Sequence, residues 1–68
     1  MTRPELHALV DIVMDAREKY PNYEFYLHVE YNIQFYHVNY KYLSDYNYPT
    51  FSDFTQAVKE YIKTLETK

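Results

Sequence analysis

Residues 20–48 read YPNYEFYLHVEYNIQFYHVNYKYLSDYNY, and this stretch decides the fold. It holds nine of the chain's ten tyrosines, together with Phe25 and Phe35. The segments on either side carry helical periodicity. Each needs an apolar surface to pack on, and this stretch is the one available.

Within it, Tyr23 to Val29 alternates: Tyr23, Phe25, Leu27 and Val29 point one way, and Glu24, Tyr26, His28 and Glu30 the other. Strict alternation marks a strand with one buried face, which the sequence places over 23–30. A second strand over 34–42 carries Tyr36, Val38, Tyr40 and Tyr42 as its apolar set and His37, Asn39 and Lys41 as its polar set. The apolar set shifts from odd to even positions between the strands, as a hairpin with an even-numbered loop requires. The preferred register sets Val29 opposite Tyr36, Leu27 opposite Val38, Phe25 opposite Tyr40 and Tyr23 opposite Tyr42. It also sets Glu24 opposite Lys41 on the outer side, an opposite-charge pair worth ~0.2–1 kcal/mol. A slip of one residue would turn one strand inside out.

Upstream, Thr2 and Glu5 have the capping-box spacing, and Pro4 falls in the first turn, so a helix is expected over 3–19. Leu6, Leu9, Val10, Val13, Ala16 and Tyr20 form its apolar stripe, and Pro21 stops it. Downstream, residues 43–50 read as a loop rich in turn formers. A second helix over 51–66 begins after Thr50, with Phe51, Phe54, Val58, Tyr61, Ile62 and Leu65 as its stripe. Lys59, Lys63 and Lys68 gather toward its end, where the helix dipole favours cations. The expected fold is a single α+β domain over residues 1–68 in the order α-β-β-α, with both helices on one face of an antiparallel hairpin.

Composition narrows the rest. A chain of 68 residues is close to the lower limit for folding alone, and without cysteine no disulfide or thiolate–metal site can brace it. Glycine is absent, which removes phosphate-cradling glycine loops and leaves Asn or Asp for any left-handed turn residue. The net charge of −3 argues against nonspecific binding to phosphate backbones. Glu5, Asp11, Asp15 and Glu18 are foreign to a signal peptide, and no apolar run reaches membrane-spanning length. A cytoplasmic protein is the expectation.

Few residues suggest chemistry. His7 and Asp11 share a helix face, the ordinary pattern of a solvated i,i+4 pair. In the preferred register His28 and His37 would face each other near Glu30. That is either an exposed polar pair or the beginning of a divalent-metal site. Ser44 and Ser52 neighbour aspartates and read as turn and capping residues. No catalytic residue, metal ligand set or cofactor is assigned, and an enzyme is not expected. Tyrosine, by contrast, supplies large amphipathic contact area and is enriched at protein interfaces. The expected binding surface is Tyr26, His28, Glu30, Tyr31, Tyr46 and Tyr48.

In its brevity, its use of tyrosine and asparagine and its lone α-β-β-α unit, the chain resembles small accessory proteins of bacteriophages and mobile elements. The resemblance is one of character, without a motif. It implies a protein that binds and inhibits or redirects a host macromolecule, as anti-CRISPR and anti-restriction proteins do. The sequence reading is therefore a non-enzymatic interaction module, a homodimer whose protein partner carries a basic surface. A nucleic-acid-associated regulator, with Tyr26 and Tyr31 stacking on bases and Lys41 on phosphate, is the alternative. A structural subunit of a larger assembly is another.

Overall fold

The computed structural model describes residues 2–67. Helix α1 spans Arg3–Lys19, strand β1 Phe25–Val29, strand β2 Ile33–His37, strand β3 Lys41–Ser44 and helix α2 Phe51–Thr64. Short 3₁₀ turns follow β3 at Asp45–Asn47 and α2 at Leu65–Thr67. The molecule is a small α+β domain with an antiparallel sheet in the order β1-β2-β3.

Helix α1 starts as its sequence dictates. The Thr2 hydroxyl accepts from the Glu5 N–H at 3.3 Å, and the Glu5 carboxylate accepts from the Thr2 N–H at 2.9 Å. Two orphan donors of the first turn are thus satisfied reciprocally. That hydrogen bonding holds the Glu5 carboxyl below its ordinary range. Thr50 caps α2 through the Asp53 N–H at 3.1 Å. Lys63 lies in the last turn of α2, while Lys68 lies outside the described residues.

The sheet departs from the expected hairpin in two linked ways. It has three strands, because the predicted strand 34–42 breaks at Val38–Tyr40. The Tyr40 N–H donates to the His37 carbonyl at 2.9 Å, and Asn39 takes a φ of 70°. That is the third position of the turn, where a type II turn requires positive φ and asparagine is the best residue after glycine. Second, the register differs by an odd number of residues. Phe25 pairs with His37, Tyr26 with Tyr36, Leu27 with Phe35, His28 with Gln34 and Val29 with Ile33. On the other side Tyr36 pairs with Tyr42, Phe35 with Leu43 and His37 with Lys41.

An odd change of register exchanges the two faces of β2. Ile33, Phe35 and His37 therefore face the helices, and Gln34 and Tyr36 face outward. The expected pairings of Val29 with Tyr36 and Glu24 with Lys41 are not made. The cause is packing. Ile33 and Phe35 are fully apolar and bury completely, whereas a tyrosine in the same place would have to bury a hydroxyl.

The core lies between the sheet and the helices. Leu9, Val13 and Ala16 of α1 and Phe54 and Val58 of α2 meet Phe25, Ile33, Phe35 and Leu43. Phe25 and Phe35 stack with centroids 6.0 Å apart. Each fully buried side chain of this size contributes about 1.5–3 kcal/mol. Helix α1 lies over β1, and α2 packs toward β3 and the 3₁₀ turn after it. An exposed ion pair between Lys19 and Glu66 joins the end of α1 to the last 3₁₀ turn. It raises the affinity of the lysine for its proton and lowers that of the carboxylate. Among the described residues no helix is long and apolar enough to cross a membrane.

Candidate functional site

Both helices lie on one side of the sheet, so the other side is bare. Its residues follow from the strand periodicity: Tyr26 and His28 on β1, Gln34 and Tyr36 on β2, and Tyr42 on β3. The register places Tyr26 beside Tyr36 and Tyr36 beside Tyr42, so three tyrosines form a row across all three strands. The Tyr36 and Tyr42 rings tilt against each other with centroids 5.0 Å apart. Tyr26 and Tyr42 are each about half exposed.

The row is held in place from one end. The Tyr36 hydroxyl donates to Gln34 Oε1 at 2.8 Å, and Gln34 Nε2 donates to Asn32 Oδ1 at 3.3 Å. Asn32 Nδ2 in turn donates to the buried Ser44 Oγ at 3.4 Å. Nearby, the Asp45 carboxylate accepts from the Ile33 N–H at 3.1 Å. Tyr36 is therefore oriented before any partner arrives, which reduces the ordering cost of binding.

At the opposite end the β2–β3 turn rises beside the row. Tyr26, Tyr36 and Tyr42 with Val38, Tyr40 and Lys41 form a shallow basin of about 530 Å³. Four of its lining residues are tyrosines, and a tyrosine ring face carries the negative side of the aromatic quadrupole, to which a cation is attracted. Glu24 lies on the same strand face as Tyr26 and His28. His28 Nε2 is 3.3 Å from Glu30 Oε1. Lys41 is the one lysine or arginine in the three strands.

The structure distributes the six expected surface residues unevenly. Tyr26 and His28 share the bare face, and Glu30 joins them through His28. Tyr31 projects fully from the β1–β2 turn, and Tyr46 is 85% exposed on the 3₁₀ turn after β3. Tyr48 packs half-buried on Phe54, with centroids 5.8 Å apart, and serves the core. Tyr36, Tyr42 and Gln34 belong to the face, whereas the sequence alternation puts Tyr36 and Tyr42 on the inner side and leaves Gln34 at the start of the second strand. The signal that would have found them is Ile33 and Phe35, whose odd-numbered apolar pair sets the phase of β2.

The facing of His28 and His37 does not occur. His28 is exposed on the bare side, and His37 is buried on the helix side. The His37 ring sits among Tyr23, Phe25, Tyr40 and Tyr61, with centroids 4.7 to 5.7 Å away. Its Nδ1 lies 2.5 Å from the Tyr61 hydroxyl. Among the described residues no three His, Asp or Glu side chains gather as a metal site would need.

No protein-family model matches the chain, and no curated protein or solved structure is similar to it.

Proposed function

We propose that this chain is a small, non-enzymatic interaction module. It takes a protein partner on the bare tyrosine face and self-associates. The reading rests chiefly on the uncovered row Tyr26–Tyr36–Tyr42, in which one hydroxyl is already fixed by a polar chain. Tyrosines that face solvent in a row supply contact area with little loss of side-chain freedom on binding.

The chemistry around the row favours a partner that presents arginine or lysine. Four tyrosines line the basin, and the chain carries a net charge of −3. A guanidinium laid over Tyr36 and Tyr42 would gain a cation–π contact on a chain of opposite net charge. Single-stranded nucleic acid would use the same rings for stacking, but it needs a basic groove along its backbone. Lys41 alone on the sheet does not supply one. The module would act in the cytoplasm by occupying a site on a host macromolecule and so inhibiting or redirecting it.

The test is a pull-down from bacterial lysate with the tagged chain and three variants. A stoichiometric protein held by the wild type and by Tyr46→Ala, but lost by Tyr36→Ala and Tyr42→Ala, is the expected result. Its binding should also weaken as salt rises. Retention by all variants, or recovery of nucleic acid in place of protein, would overturn the reading.

A further inference from the structure

Beside the tyrosine face the molecule has a second unsatisfied surface, the free edge of β1. We infer that a second copy of this chain pairs there, antiparallel, about a twofold axis at Tyr26. The inference gives the self-association proposed above a place and a register. It does not depend on what the tyrosine face binds.

Three observations select this edge. First, its backbone groups are available. The Glu24 carbonyl accepts from the Val38 N–H and the Glu30 N–H donates to the Asn32 carbonyl, so the even residues of β1 turn their backbone groups toward β2. By alternation, Phe25, Leu27 and Val29 turn theirs outward. Second, β1 carries none of the devices that blunt an edge. Phe25–Val29 reads FYLHV, without lysine, proline or a bulge. The other edge, β3, is four residues long, opens on Lys41 and leads into a 3₁₀ turn. Third, a largely apolar groove of about 330 Å³, with Arg17 as its one charged lining residue, runs along the β1 edge. Val10 and Met14 of α1, which are 38% and 46% exposed, lie on one side of it, and Leu27 and Val29 on the other.

A second copy suits this groove because the surface is complementary to itself. Pairing β1 with β1 makes one six-stranded sheet and leaves both α1 helices on the same side, next to each other across the axis. Val10 and Met14 of each copy then cover those of the other. A foreign strand would bring no such helix, and the α1 flank would stay wet.

Charge selects the register. With the axis at Tyr26, Phe25 and Leu27 exchange backbone hydrogen bonds with Leu27 and Phe25 of the second copy. Glu24 then lies opposite His28 of the second copy, an acid facing a base. With the axis at Leu27, Glu24 would face Glu30, a like-charge pair. With the axis at His28, two imidazoles would meet, and Glu30 would face Tyr26. The chosen register also joins the two tyrosine rows end to end, so the dimer presents one continuous aromatic face.

The chain has no cysteine, which makes the register directly readable. The experiment compares light scattering of the wild type with that of Met14→Lys, and disulfide formation in Tyr26→Cys, Leu27→Cys and His28→Cys under mild oxidation. The wild type should be a dimer at micromolar concentration. Met14→Lys should weaken the dimer at least tenfold while its circular dichroism is unchanged. Tyr26→Cys should cross-link fastest, since residues opposite each other in a non-hydrogen-bonded pair have Cα atoms about 4.5 Å apart, within disulfide reach. A monomeric wild type overturns the inference, whether the edge stays free or takes a foreign strand. So does a dimer that is unmoved by Met14→Lys or that cross-links best at another position. A monomer that still binds its partner through Tyr36 and Tyr42 would leave the reading of the tyrosine face intact.

Discussion

His37 Nδ1 lies 2.5 Å from the Tyr61 hydroxyl, joining the last residue of β2 to the fourth turn region of α2 beneath the sheet. The pair adds a polar link between two elements that otherwise meet through apolar and aromatic side chains, and it does so inside a shell of aromatic rings. A buried polar contact of this kind matters most when one partner is removed, because the other keeps its desolvation cost. Tyr61→Phe should therefore destabilise the domain by ~1–3 kcal/mol in urea denaturation. An unchanged midpoint would mean that the contact contributes nothing net.

The same residue predicts an alkaline limit to stability. Burial is the main cause that raises the Tyr61 phenol above its ordinary value of about 10, with the nearby Tyr23 and Tyr40 adding to it. The folded state thus holds the proton more tightly than the unfolded state does. The stabilisation is fully present below pH 10 and is lost as pH rises through the higher folded value. Urea midpoints taken from pH 8 upward should fall more steeply for the wild type than for Tyr61→Phe. Parallel curves would contradict the assignment.

Much of the fold was legible because the signals were local. The Thr2 and Glu5 capping box, the stop at Pro21 and the apolar stripes of both helices depend on neighbours in sequence, and each is found in the structure except that Val10, at the edge of the α1 stripe, is exposed. The sheet depended on a choice between two competing alternations. Ile33 and Phe35 favour one phase, and Tyr36, Val38, Tyr40 and Tyr42 favour the other. Tyrosine and valine both suit strands, so their run concealed the turn at Val38–Tyr40. Once the turn is placed, the tyrosines on both sides of it move outward together. The candidate face was therefore half hidden: Tyr26 and His28 were readable from β1 alone, but Tyr36 and Tyr42 needed the register.

That turn gives a direct test of the three-stranded sheet. Asn39 has a φ of 70°, a conformation that costs a β-branched residue about 1–2 kcal/mol. Asn39→Val should destabilise by that amount, and Asn39→Gly should be neutral or slightly stabilising. In an unbroken strand over 34–42 the order would reverse, with valine preferred over glycine. Thermal melts of the two variants decide between the topologies.

Two neighbouring tyrosines should behave oppositely. Tyr48 packs on Phe54 and Tyr46 stands in solvent, although both lie in one stretch of turn formers. Tyr48→Ala should cost about 2 kcal/mol, since it empties a partly buried site against the core. Tyr46→Ala should stay within about 0.5 kcal/mol, as surface changes do. Equal effects on the urea midpoint would show that the stretch after β3 is packed differently.

Phe35 and Tyr42 separate folding from binding most sharply, because they occupy adjacent strands on opposite faces of one sheet. Phe35 is fully buried between Phe25 and Tyr61, and Phe35→Ala should cost ~3–5 kcal/mol, enough to unfold much of a domain this small. Tyr42 is half exposed beside Tyr36, and its loss leaves no cavity in the core. Tyr42→Ala should cost less than ~1 kcal/mol, the span of strand propensity. It should nonetheless weaken partner binding by at least about tenfold, or ~1.4 kcal/mol, more than the ~1 kcal/mol that most interface residues fail to reach. The measurements are a urea titration and a binding titration on the same preparation. If Tyr42→Ala lost stability in proportion to binding, the row would be a packing device, and the bare face of the sheet would need another explanation.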